Sequence, residues 1–225
     1  MRYADWTFEG PQGGPMVGNA LWLGDGARAP LLVIPALFDE GNRMRRLTVE
    51  VMRRLAASGI TCVMPDLPGL QESTFPLALA DVELWRGAMA GLAIATKARR
   101  VLALRGGALV SPDGLSGWHY APVPGSSVLR QLVRARVVAA REAGREEKHD
   151  ALVALGRTEG LELAGYRLGA GMVAQLGQAQ APDDGITLIG HEMVGGAAMW
   201  LRAEPGDSAT QADALAAVVA MEMLA

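Results

Sequence analysis

The sequence predicts an α/β fold, a mostly parallel sheet flanked by helices, and three observations carry that prediction. Residues 31–34, 60–64 and 101–104 are short apolar runs without polar alternation, as expected of strands buried on both faces of a parallel sheet. The segments between them place apolar residues at helical spacing. With 225 residues, half of them hydrophobic, the chain can bury one substantial core, so it reads as a single domain over residues 1–225.

Residues 1–29 mix Gly, Pro and short apolar pieces such as Ala20-Leu21-Trp22-Leu23, the pattern of one or two antiparallel strands joined by turns. After the run 31–34, Pro35 ends the strand. Over 42–58, Met44, Leu47, Val51, Met52 and Leu55 then fall on one helical face, with Gly59 as the stop. The strand 60–64 leads into Pro65-Asp66-Leu67-Pro68-Gly69, and a helix is predicted over 79–95. The strand 101–104 completes a strand–helix alternation with right-handed crossovers. A fourth strand is predicted over 117–123, then a helix over 126–142 capped by Ser126 or Ser127. The charged stretch 143–150 reads as a solvated connection into a helix near 151–155. Residues 161–166 read as a short strand and 169–178 as a helix; strands over 186–189 and 198–203 and a helix over 208–224 close the chain.

A net charge of −3 gives no global reason to expect nucleic acid or an anionic membrane as a partner. The start, MRYADWTFEG, lacks a basic segment followed by an apolar stretch, and no segment holds eighteen uninterrupted apolar residues. A cytoplasmic protein is expected. The lone cysteine, Cys62, cannot form an internal disulfide and reads as a small buried hydrophobe. Neither a cofactor nor a metal is expected, a small-molecule ligand is the expected partner, and self-association is left open.

In an open parallel sheet the ligand crevice lies beyond the carboxyl ends of the strands. The loop Asp66-Leu67-Pro68-Gly69-Leu70-Gln71-Glu72-Ser73 has the D-x-P-G-x-x-x-S spacing found after a strand in many α/β-hydrolases. Read locally, it is a turn in which Asp66 caps amides, Pro68 presets φ and Gly69 takes a positive φ. In that superfamily the strand 101–104 leads into G-x-S-x-G, a tight turn that displays the nucleophile. Here it reads Ala103-Leu104-Arg105-Gly106-Gly107-Ala108, with Arg105 at the nucleophile position. A guanidinium offers charge and donors but no nucleophilic lone pair. Arg105 therefore binds either an anionic or carbonyl-bearing ligand or an internal carboxylate, Glu40 or Asp66.

Three histidines are present, His119, His149 and His191, and none lies in the last 34 residues, where the superfamily's base is usually found. His191 is the candidate for acid–base work; His119, inside a predicted strand, reads as structural and His149 as solvated. Ser111, Ser116, Ser126 and Ser127 all read as turn or cap residues.

Several segments in order resemble the second type of exosortase A system-associated hydrolase, which occurs beside bacterial exopolysaccharide and protein-sorting loci. They are Ile34-Pro35-Ala36-Leu37-Phe38-Asp39-Glu40-Gly41-Asn42-Arg43-Met44-Arg45-Arg46, then residues 103–108, with arginine at the nucleophile place, and Ala121-Pro122-Val123-Pro124-Gly125. The arginine-bearing stretch 129–136 and Leu163-Ala164-Gly165-Tyr166-Arg167-Leu168 follow, and Trp200 with Glu204-Pro205 extends the likeness. The resemblance implies an α/β-hydrolase-like fold with a reduced cap, since the helix after the elbow is squeezed into 108–112. It does not imply a reaction.

The expected function is a ligand-binding α/β-hydrolase-fold protein in which Arg105, with Glu40, Asn42, Arg43 and Asp66, forms the site. For Glu40 and Asn42 a helix N-terminus, with Asn42 as cap, is the competing reading. Two other functions stand beside it. One is an active esterase or thioesterase with a displaced serine and His191 as base. The other is a non-catalytic interaction protein docking through Arg130, Arg134 and Arg141.

Overall fold

The computed structural model describes residues 1–26, 28–204 and 206–224. Strands β1 (Arg2–Glu9) and β2 (Pro15–Leu23) form the predicted antiparallel pair. They are followed by β3 (Leu31–Ile34), α1 (Phe38–Ala57), β4 (Cys62–Pro65), α2 (Val82–Thr96), β5 (Arg100–Leu104) and β6 (Ser116–Tyr120). Then come α3 (Gly125–Glu142), α4 (His149–Glu159), β7 (Leu161–Leu163), β8 (Tyr166–Leu168), α5 (Ala170–Leu176), β9 (Ile186–Ile189), α6 (His191–Val194) and α7 (Ala209–Leu224). The main sheet runs β1-β2-β4-β3-β5-β6-β9, parallel from β4 onward. Strands β7 and β8 form a separate hairpin where one short strand was expected. Among the described residues, no helix is long and apolar enough to cross a membrane.

Side-chain alternation divides the core into two layers. Leu31, Val33, Leu102, Leu104, Trp118 and Tyr120 face one side, where Met44, Leu47 and Val51 of α1 meet Leu215 and Val219 of α7. Leu32, Ile34, Val101 and Ala103 face the other, against Trp85 and Met89 of α2, Leu132 of α3 and Met172 of α5. All four residues of β3 and of β4 are buried, which is why neither run alternates.

Three local expectations are corrected. Helix α1 begins at Phe38, so Asn42 lies inside it and caps nothing; Leu37 is the N-cap residue. Gly41 permits this early start, because a Cβ there would press into the Ala36 carbonyl oxygen as the first turn folds back on the loop. Helix α3 starts after Pro124 without a side-chain cap, placing Ser126 and Ser127 in its first turn. The expected strand 198–203 is instead a 3-10 turn, Met199–Leu201. Side-chain bonds replace a strand ladder there: Gln211 Nε2 donates to the Gly195 and Ala197 carbonyls, and Arg43 Nη1 to that of Trp200.

Candidate functional site

The site is built on corners at adjacent strand ends. Strands β3, β5 and β6 are neighbours, and the chain beyond each takes a positive φ at a non-glycine residue: Phe38 (53°), Arg105 (52°) and Ala121 (44°). Each such residue costs about 1–2 kcal/mol, and strain of this kind concentrates where function fixes the backbone. Arg105 opens a 3-10 turn, Arg105–Val110, directly off β5. Gly107 fits beneath it because a Cβ there would fall on the Pro35 carbonyl oxygen. The elbow backbone is therefore present, with arginine at its apex.

Every nitrogen of the Arg105 guanidinium makes a hydrogen bond. Its Nε and Nη2 donate to Glu40 Oε2 and Oε1 at 3.0 and 3.1 Å, a bidentate pair, and Nη1 donates to the Ala121 carbonyl at 2.8 Å. The guanidinium carbon lies 4.0 Å from the centre of the Trp200 ring. Arg105 is 7% exposed and Glu40 8%, so the pair is shielded from water. Of the two internal carboxylates the sequence offered, Glu40 is the partner. Asp66 instead meets Arg45 at 3.4 Å, on a different part of α1. Burial raises the Asp66 carboxyl above its ordinary range, opposed by Arg45, and Asp66 shows no hydrogen bond to neighbouring amides. Ser73 Oγ does that work, accepting from Gly69 and Phe75 N–H, while Gly69 takes the expected positive φ.

His191 joins the same cluster through Trp200, their rings 4.9 Å apart and nearly perpendicular. Its Nε2 contacts the Gly196 carbonyl at 3.0 Å, so that nitrogen carries a proton. Its Nδ1 therefore accepts from Tyr120 OH at 2.7 Å in the neutral ring. Burial pushes the Tyr120 phenol up to about 12, against the opposing charge of Arg105. Both ring nitrogens of His191 are thus occupied by protein groups. Here the imidazole braces the Trp200 turn, and neither nitrogen is left to take a proton from a nucleophile.

A cavity of about 290 Å³ adjoins Arg105 at the carboxyl ends of β3 and β5. Its wall combines the start of α1 (Phe38, Glu40, Arg43), Gly106 of the elbow, α3 residues including Val128, Gln131 and Arg134, and Trp200. Ala164, in the β7–β8 turn, also lines the cavity, and Tyr166 OH on that hairpin donates to the lining residue Asp39 at Oδ1, 3.1 Å away. Asn42 is exposed and does not line the cavity. Arg43 and Glu40 are thus brought together with Arg105, whereas Asn42 lies outside the lining, next to the Tyr166 hydroxyl, and Asp66 stands apart. Trp200 and Tyr166 were not assigned to a site from sequence, and Arg134 was assigned only to a docking face with Arg130 and Arg141. Their one legible signal was their place in the family-like segments.

Ser111 Oγ and His119 Nε2 form a separate contact of 2.9 Å, with both residues almost fully buried and outside the cavity lining. Burial holds His119 down to about 4, so its ring is neutral at neutral pH. His149 is half-exposed at the start of α4 beside Asp150.

No protein-family model and no curated protein matches the sequence. Solved structures do. A "putative aryl esterase" from Burkholderia cenocepacia superimposes with a TM-score of 0.50 at 16% identity, covering 83% of this chain and 79% of that one. A hypothetical protein from Pseudomonas aeruginosa gives a TM-score of 0.49 at 13% identity, over 84% and 77% of the two chains. An alpha/beta hydrolase from Novosphingobium aromaticivorans gives 0.41 at 18% identity, over 70% and 57%. This chain spans about three fifths of the similar structures from Agrobacterium vitis and Mycobacterium tuberculosis, 60% and 58% of their lengths. The fold is α/β-hydrolase-like: a mostly parallel sheet flanked by helices, in the strand order described above. At these identities the likeness extends to architecture and not to chemistry.

Proposed function

We propose that this protein is a non-hydrolytic member of the exosortase-linked, exopolysaccharide-associated group that its sequence resembles, a cytoplasmic pseudoenzyme that binds a small anionic or carbonyl-bearing ligand. One observation carries the reading: the nucleophile corner holds Arg105 with each of its three nitrogens bonded to Glu40 or Ala121 and its face on Trp200. That arrangement supplies neither an attacking atom nor a base, and it leaves an intact cavity alongside. Phe38, Asp39 and Glu40 form the first turn of α1, whose N–H groups lack intrahelical acceptors and sit at the positive end of the helix dipole. This favours a ligand presenting oxygen. Arg105 itself acts as architecture within the site, while its neighbours meet the ligand.

The esterase alternative has one observation in its favour, the Ser111–His119 contact, and burial of both residues counts against it. Docking through Arg130, Arg134 and Arg141 loses one member to the cavity wall. The test is to treat wild type, Ser111→Ala and Arg105→Ser with a fluorophosphonate probe and short-chain nitrophenyl esters. No labelling and no turnover above buffer are expected, even in Arg105→Ser, because His191 is committed to Tyr120 and Gly196. Wild-type labelling abolished by Ser111→Ala would replace this reading with the esterase one. For binding, thermal midpoints are compared with acyl, phosphate and sugar-nucleotide ligands in wild type and in Ala135→Trp, which fills the cavity. A shift that survives the filling places the ligand elsewhere and ends the proposal.

A further inference from the structure

Resting on that reading of the cavity, we propose that the ligand is a small carboxylate with an apolar body, its carboxylate held by Arg43 and Arg134 and its body laid against Trp200. The charges around the cavity lead to this class. Four ionised side chains line it: Asp39, Glu40, Arg43 and Arg134. Glu40 is neutralised by Arg105 through two hydrogen bonds, and Asp39 is engaged by the Tyr166 hydroxyl. Neither Arg43 nor Arg134 has a carboxylate partner among the described residues. Arg43 is half-buried and anchored by one bond, from Nη1 to the Trp200 carbonyl, which fixes its direction and leaves its other donors for a ligand. Arg134 stands on the exposed side of α3 at the cavity wall, beside Gln131.

Two arginines against the single unneutralised carboxylate of Asp39 leave room for one negative charge. A monoanion satisfies that balance, whereas a dianionic phosphate would face Asp39 as well. Paired planar donors suit the two oxygens of a carboxylate. Apart from Gln131, the remaining wall is apolar, with Leu37, Phe38, Val128, Leu132, Trp200 and Leu201. A volume of about 290 Å³ is just below the range of about 300–1,000 Å³ for drug-sized ligand sites, which suits a ring or short acyl chain. The role falls to Arg43 and Arg134 because both line the cavity, whereas Arg105 lies outside its lining and is bonded to Glu40 and the Ala121 carbonyl.

The experiment titrates the full chain, at constant ionic strength, with sodium phenylacetate, with its neutral isostere phenylacetamide, and with inorganic phosphate. Tryptophan fluorescence and the thermal midpoint are the readouts. Phenylacetate is expected to change the fluorescence saturably, an effect lost in Trp200→Phe, and to bind at least tenfold more tightly than the amide or phosphate. Arg134→Ala, on an exposed helix face, is expected to weaken phenylacetate at least tenfold and leave phenylacetamide unchanged; Arg43→Lys should do the same while keeping a bond to the Trp200 carbonyl. Equal binding of acid and amide, both lost in Ala135→Trp, would overturn the carboxylate assignment and leave the cavity reading standing. Phosphate binding tighter than phenylacetate, or no response to either organic probe, would also overturn the assignment. Phenylacetate binding that persists unchanged in Ala135→Trp would instead defeat the cavity reading itself.

Discussion

Replacing Glu40 by glutamine should destabilise the fold through the charge it leaves behind. Glutamine keeps the shape and one acceptor oxygen, but the Arg105 guanidinium, 9% exposed as a side chain, then lacks a counter-charge. Removing one member of a buried ion pair costs about 3–5 kcal/mol, and the retained oxygen, the Ala121 carbonyl and Trp200 place this case near the low end, about 3 kcal/mol. For a chain of this size that corresponds to a fall in melting temperature of about 6–12 °C. Arg105→Met should cost a similar amount by stranding Glu40. Removing both charges in Glu40→Leu with Arg105→Met removes the desolvation penalty together with the attraction, so the double variant should lie within about 1 kcal/mol of wild type or above it. The assay is equilibrium urea unfolding at 25 °C followed by circular dichroism, with unchanged denaturant slopes as the check that the states compared are the same. Single variants that each cost under about 1 kcal/mol, or a double variant that costs their sum, would refute the claim that this pair is buried and coupled.

Two further predictions follow from burial and close approach. His119 is held down to about 4 from 6.5, so between those values the unfolded chain binds the proton and the folded chain does not. Its contribution is complete above about pH 6.5 and is lost as pH falls toward 4, about 3 kcal/mol in all. His119→Gln, which keeps a partner for Ser111, should flatten the stability curve across that window, and curves parallel to wild type would refute the assignment. Gly107→Ala should cost about 3 kcal/mol or prevent folding, since its methyl meets the Pro35 carbonyl. Gly114→Ala, with a positive φ of 78° but open space around it, should cost only about 1 kcal/mol by the same urea unfolding.

The central strands were readable because burial on both faces leaves no ambiguity: Leu31–Ile34 and Arg100–Leu104 lie within a residue of the apolar runs that predicted them. The helix boundaries were not, because the expected caps were polar residues that the fold places elsewhere. Asn42 ended up one turn inside α1, and Leu37, with no side-chain donor or acceptor, took the N-cap. Met199–Leu201 shows a different limit. Its apolar composition fits a strand, but whether such a run pairs depends on an available ladder, and distant side chains, Arg43 and Gln211, claimed its surroundings first. Within the site, Arg105 was legible from its place after β5 and its choice between two carboxylates was not. Glu40 and Asp66 both follow strand ends, and only the three-dimensional course of α1 puts one of them opposite the guanidinium. Trp200 was likewise invisible as a site residue, being 95 positions away from the arginine it covers.

The corner at Arg105 is held from below. Gly107 seats it on the Pro35 carbonyl, and Gly106 packs against Leu37 and Val128, so the bend is defined by neighbours and does not rely on the residue at its tip. The tip is therefore a fixed mount carrying an exchangeable head. In this chain the head is a cation that ties β5, through its side chain, to the loop after β6 and the start of α1, so three strand ends are fastened at one point. A head with an attacking oxygen would release that fastening. For this protein, acquiring a nucleophile and keeping the crevice rigid are opposed demands on a single position.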